Sequence, residues 1–164
     1  MSRDAQMILD NAAALTVTAV STNAYQLSKA PNGTVADPTV GVYGFSLVFH
    51  VTTAFTAAGA ATMQFKAIAD SNTNLTTNPE ILAQSALIPV ASLTLGTVLV
   101  LSLPQGSFTL AQQILTVATA TLAFIGAGYV VATGPMTAGN MTCELTPSED
   151  VQMATQGAAN YIVL

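Results

Sequence analysis

The chain has 164 residues, a net charge of −5 at pH 7 and only 7% charged residues against 51% hydrophobic ones. That length fits one domain with its own core, and three scattered basic residues, Arg3, Lys29 and Lys66, argue against direct binding of DNA or RNA, which needs clustered Lys and Arg. Cys143 is the single cysteine, so no intrachain disulfide forms and the thiol reads as a small buried apolar group.

Met1 to Asp10 holds Arg3, Asp4 and Asp10 with no apolar run behind them. This stretch does not read as a secretory signal, and cytoplasmic synthesis is expected. Residues 1–11 read as an N-terminal extension. Asn11 to Leu15 favours helix on propensity alone, whereas Leu15 to Ser21 alternates in a strand rhythm. Turn signals follow at Pro31-Asn-Gly33 and Asp37-Pro38.

Phe45, Leu47, Phe49, Val51 and Phe55 then recur at even spacing, which predicts a strand with one strongly apolar face. Ser46, Val48, His50, Thr52 and Ala54 make its other face, so the only histidine is expected among small and polar neighbours, solvated or at an interface. Phe55 to Thr62 reads as a strand end, a turn at Gly59 and a strand start. Thr62 to Ile68 continues as a strand. Asp70, Asn72 and Asn74 have the alternate spacing of a calcium loop, but the central glycine and terminal glutamate are missing, since position 81 is Ile.

From Ile81 to Cys143 no Asp, Glu, Lys, Arg or His occurs, although soluble domains place a charge at about one position in four. Ile114 to Ala132 approaches the length of a membrane-spanning helix. Thr116, Thr119 and Thr121 interrupt it, Gly126 and Gly128 lie within it, and no Lys or Arg flanks it, so strand is the better reading. Leu93 to Leu103, ending at Pro104, is read the same way. Further turns are marked at Asn78-Pro79, Pro104-Gln-Gly106, Gly134-Pro135, Gly139-Asn140 and Thr146-Pro147, with a strand over Asn140 to Thr146. Residues 148–164 form a tail whose Tyr161-Ile-Val-Leu164 is expected to add to a sheet edge or dock on a neighbour. About eight strands with short connections predict an all-β antiparallel sandwich or barrel in a single domain, 1–164.

No catalytic, cofactor or metal residues are assigned. His50 has no acidic residue near it in sequence, and no second histidine or cysteine pair has ligand spacing. Asp4 with Asp10, and Glu149 with Asp150, read as solvated charges. Gly41 and Gly44, and Gly126 and Gly128, read as bends, because no phosphate-binding loop is complete.

Three stretches carry a resemblance. Ser2-Arg-Asp-Ala-Gln-Met-Ile-Leu-Asp-Asn11 with Leu15-Thr-Val-Thr-Ala-Val-Ser-Thr-Asn-Ala-Tyr-Gln-Leu27 resembles the start of the Bbp16-like capsid cement proteins of tailed bacteriophages. Phe65 to Leu75 with Pro79 to Ser85 is similar to their strand and acidic loop, and Tyr129 to Leu145 to their closing hairpin. The resemblance implies a jelly-roll decoration protein on the outer surface of the icosahedral head. It would clamp the major capsid protein, associate with itself as a dimer or trimer, need no cofactor, and contact neither nucleic acid nor membrane. Met1 to Asn11 and Asn160 to Leu164 are the expected extensions across capsid neighbours. A tail or receptor-binding component of the particle is the alternative, and a membrane-inserted hairpin or pore the second. An enzyme would show a cleft around His50 or Asp70.

Overall fold

In the computed structural model the described residues are 7–26, 44–103, 124–147, 150–151 and 160–164. Branched and aromatic residues at two-residue spacing dominate them, and they form strands. In chain order these are β1 (Ile8–Ala14), β2 (Ala19–Val20), β3 (Tyr25–Gln26), β4 (Phe45–Ala57), β5 (Thr62–Asp70), β6 (Glu80–Gln84), β7 (Ile88–Pro89), β8 (Thr97–Ser102), β9 (Phe124–Ala132), β10 (Met136–Pro147) and β11 (Asn160–Val163). A 3-10 turn, Val90–Ser92, precedes β8.

The first sheet has the order β1-β10-β4-β8-β11, and the second β2-β9-β5-β6, with β3 also on β9 and β7 also on β5. When β2 and β3 are taken as one strand, and β6 and β7 as another, β1 to β10 make eight strands. Their orders, first-eighth-third-sixth and second-seventh-fourth-fifth, are those of a jelly roll. The expected sandwich is therefore present, with β11 added at an edge. Among the described strands only β11 pairs in parallel, on β8.

Inward-facing residues of both sheets fill one core. Phe45, Leu47, Phe49, Val51 and Phe55, the predicted apolar face of β4, are all buried. Phe49 of the first sheet meets Phe65 of the second with ring centroids 4.8 Å apart. Tyr129 stands edge-on to both, at 6.0 Å and 6.2 Å. Such aromatic pairs contribute about 0.5–1.5 kcal/mol each beyond the area they bury, and here they join the two layers.

Several local expectations change. Ile8 to Asn11, read as part of an extension, open β1, where Leu9 is fully buried. Residues 15–18 are a crossing between sheets, held by Leu15 N–H to the Gly139 carbonyl and Met136 N–H to the Thr16 carbonyl. Alternation is real there, but the chain must change layers and pairs only over Ala19–Val20. The stretch Tyr129 to Leu145 is not a hairpin. β9 lies in the second sheet and β10 in the first, so residues 133–135 turn a corner of the sandwich.

Gly126 and Gly128 lie inside β9 and make no bend. A Cβ at Gly126 would overlap Leu75 Cδ1 and come within 2.6 Å of Ser21 Oγ, while one at Gly128 would overlap Ile68 Cδ1. The missing side chains let Leu75 and Ile68 lie flat on the strand. β8 begins only at Thr97, because residues 90–96 form the crossing between sheets. Of the stretch Ile114 to Ala132, residues 114–123 lie outside the described residues, as do the turn signals at 31–33, 37–38 and 104–106.

Candidate functional site

Strand register brings four connections to one end of the sandwich. Met136 pairs with Ala57, Thr62 with both Ala132 and Pro89, and Ala14 with Asn140. Residues 15–18, 58–61, 90–96 and 133–135 therefore cluster there. Neither these turns nor the strand ends beside them, residues 12–19, 52–64, 86–96 and 130–140, contain an Asp, Glu, Lys, Arg or His. Among the described residues this end of the sandwich is uncharged. It exposes Val17 by 58%, Leu87 by 55% and Leu95 by 64%, among exposed Ala58, Gly59, Ala60, Ala91 and Pro135.

Glycine makes the turns at this end tight. Gly59, Gly96, Gly134 and Gly139 all have positive φ, a region that side chains disfavour. Gly139, read from sequence as part of a turn, lies within β10 at a shift in its register with β4. At φ 142° its Cα lies against the Phe55 ring, which a Cβ would overlap.

Away from this end, the ionisable groups mostly serve the fold. Asp10, expected to be solvated, is 1% exposed. Its Oδ2 accepts the Tyr129 hydroxyl at 2.6 Å and its Oδ1 the Thr22 N–H at 2.8 Å. The carboxylate thus ties β1 to β9 across the core. Nothing in the sequence marked this pairing, because its partners lie 119 and 12 residues away. Burial pushes the Tyr129 hydroxyl well above its ordinary pKa of 10.0, with Cys143 and Asp10 adding to the effect. Cys143 is fully buried, as expected. Burial first, and Asp10 second, push its thiol well above the ordinary 9.0, while a hydrogen bond with Tyr129 opposes them. A thiol held protonated and away from solvent is chemically inert.

Asp70 is fully buried at the opposite end. Its Oδ1 accepts Asn72 N–H at 2.9 Å and Ser71 Oγ at 3.3 Å, and its Oδ2 accepts Thr77 and Asn78 N–H, both at 3.0 Å. Asn74 Oδ1 accepts Thr76 N–H and the Thr77 hydroxyl. The alternate spacing that resembled a calcium loop folds the turn around one carboxylate. Among the described residues no group of three or more His, Cys, Asp or Glu is placed to hold a metal ion.

His50 lies half-buried on the outer face of the first sheet, where Nε2 is 3.3 Å from Glu144 Oε1. Their separation of 94 residues hid the pair from sequence reading. Adjacent strands bring it together, since Glu144 faces Val48 and Thr142 faces His50. Nearby on this face Val48, Val98 and Val100 form a second buried cluster, against which Val151 packs. Arg3, Asp4, Lys29, Gly41 and Glu149 lie outside the described residues. Among the described residues no helix is long and apolar enough to cross a membrane.

The C-terminal extension does not leave the sandwich. Asn160–Val163 pair with Thr97 to Val100, and Leu164 N–H donates to the Val100 carbonyl at 2.9 Å. Its β-prone sequence is used on its own sheet edge.

A search of curated proteins finds no match. The profile described as Bbp16 matches residues 9–145, which run from β1 through most of β10 and stop before β11. That span holds nearly all of the jelly roll, and the uncharged end with it. The chain belongs to the Bbp16 family and is a phage-related protein.

Proposed function

We propose that the chain is a capsid cement protein, a structural component on the outer surface of the icosahedral head with no catalytic or cofactor role. Its partners are the major capsid protein and further copies of itself, as a dimer or trimer. The observation that carries this reading is the uncharged end, with Val17, Leu87 and Leu95 exposed. Burying a charge without a partner costs several kcal/mol, whereas apolar surface gains about 25 cal/mol per Å² removed from water. A neutral end loses little on contact. A stable interface needs roughly 800 Å² per partner, and small contacts repeated over a shell add up through multivalency.

The sandwich supplies rigid geometry, and the uncharged end seats on the shell. Val17→Glu and Leu95→Glu test this on purified heads stripped of the protein. Both variants should fold as the parent does and lose occupancy. Full occupancy by both would contradict the assignment of that end. The tail-component reading predicts copies confined to the tail, far fewer than those of the major capsid protein. A membrane hairpin predicts a chain that needs detergent to stay dispersed.

A further inference from the structure

The C-terminal strand offers a second contact, of a different kind. β11 is four residues long, pairs in parallel at the outermost edge of the first sheet, and lies beyond the matched family span. Parallel pairs are slightly weaker per residue than antiparallel ones, and short terminal elements open at low cost. The β8 edge that holds it is complementary to this sequence. Four residues match in register, and Leu164 N–H extends the ladder to the Val100 carbonyl.

Chain length then decides what the strand can reach. Pro147 pairs with Phe45, whereas Asn160 pairs with Thr97, which follows the ladder to the level of Val51. Those points are six residues apart along the strands and three strands apart across the sheet. At about 3.3 Å per residue and 4.8 Å per strand this is about 25 Å. Residues 148–159 join them, and a chain of that length spans up to about 40 Å. The connection exceeds its own needs by more than half.

We infer that the β8 edge is an acceptor for the C-terminal strand of a neighbouring copy, so that Asn160–Val163 is exchanged between subunits. Exchange keeps every β8–β11 contact and so loses nothing in the ladder itself. It links two copies through main-chain hydrogen bonds, the mode by which a strand augments an open edge. Val151 covers the Val48, Val98 and Val100 cluster of its own chain, so the crossing to a neighbour would begin after it, within residues 152–159. The inference rests on the proposed self-association and is independent of where the protein sits on the particle.

A split cysteine pair tests it. One full-length chain carries Val98→Cys and the other Tyr161→Cys, both in a Cys143→Ala background, and the two are co-expressed so that strand choice occurs during folding. Val98 and Tyr161 are register partners, within the separation that a disulfide bridges. Oxidation should give a covalent pair of twice the chain mass that disappears on reduction, and neither variant alone should give it. A chain carrying both cysteines fixes the geometry. If it closes on itself while the split pair gives no heterodimer, exchange is overturned. Should the cysteines disturb folding, isotope-filtered NMR on mixed unmodified copies asks whether Leu99 of one contacts Ile162 of another, and contacts confined to one chain also overturn it. Either failure would leave decoration of heads, scored separately, untouched.

Discussion

At one end of the sandwich, residues 15–18, 58–61, 90–96 and 133–135 carry no ionisable side chain and expose Val17 and Leu95. At the other, residues 70–78 wrap around the buried Asp70 carboxylate, which accepts three backbone N–H groups and one hydroxyl. The first end makes its turns with positive-φ glycines, the second with a charge. A carboxylate that organises a loop saturates its own hydrogen-bonding capacity and adds nothing to a contact surface. Glycine turns add neither charge nor bulk, and leave the surface neutral for a partner. Among the described residues the scarce charge thus has two uses: Asp10 and Asp70 are spent inside the fold, and no charge lies where contact is proposed.

The largest effect should come from the charged end. Asp70→Ala leaves three N–H groups without their acceptor, each costing about 1–3 kcal/mol when buried. Partial rescue by water brings the expected loss to about 3–4 kcal/mol in urea unfolding. Asp70→Asn, which retains one acceptor oxygen, should lose less. Equal losses would mean that the turn does not depend on the carboxylate.

At the neutral end the effects divide differently. Val17→Glu with Leu95→Glu should change unfolding free energy by no more than about 0.5 kcal/mol, as exposed substitutions do. Decoration of heads should fall about 100-fold, equivalent to about 2.7 kcal/mol. A double variant that unfolds, or one that decorates fully, breaks the contrast between the ends.

Between them, the core should resist charge. Tyr129 and Cys143 have pKa values raised on folding, so both stay protonated while their unfolded counterparts ionise. The unfolded state then binds fewer protons, and stability must fall as pH rises. Below pH 9.0 their contribution is fully present. Above it the Cys143 limb should lose about 1.4 kcal/mol per pH unit, and beyond 10.0 Tyr129 adds a similar slope. Cys143→Ala should abolish the first limb and leave the second, as read by denaturant midpoints across pH 8 to 11. The smallest effect is Glu80→Gln. This exposed residue of β6 should alter stability and decoration by no more than about 0.5 kcal/mol.

The sandwich was legible where large apolar residues alternate in the sequence, as in β4, whose five predicted core residues are all buried. Burial itself alternates over residues 62–67 of β5, whereas Cys143, Glu144, Leu145 and Thr146 of β10 are buried in succession. Layer changes were not legible. Leu15 to Ser21 alternates like a strand, yet the chain must leave the first sheet there, and only long-range pairing tells a corner from a ladder. Glycine misled for a related reason: Gly126 and Gly128 are close-approach sites for Leu75 and Ile68, partners that lie far off in sequence. Asp10 was hidden because β1 begins inside the segment read as an extension. The uncharged end was half legible. The gap from Ile81 to Cys143 supplies residues 86–96 and 130–140, but the fold adds 12–19 and 52–64 from the other half of the chain.

Electron cryomicroscopy of intact particles tests the central claim most directly. The proposed account predicts density for the jelly roll on the outer shell with Val17 and Leu95 buried against the major capsid protein, and the Asp70 loop turned away. A decorated head whose uncharged end faces solvent, or particles that hold the chain only at the tail, would contradict it.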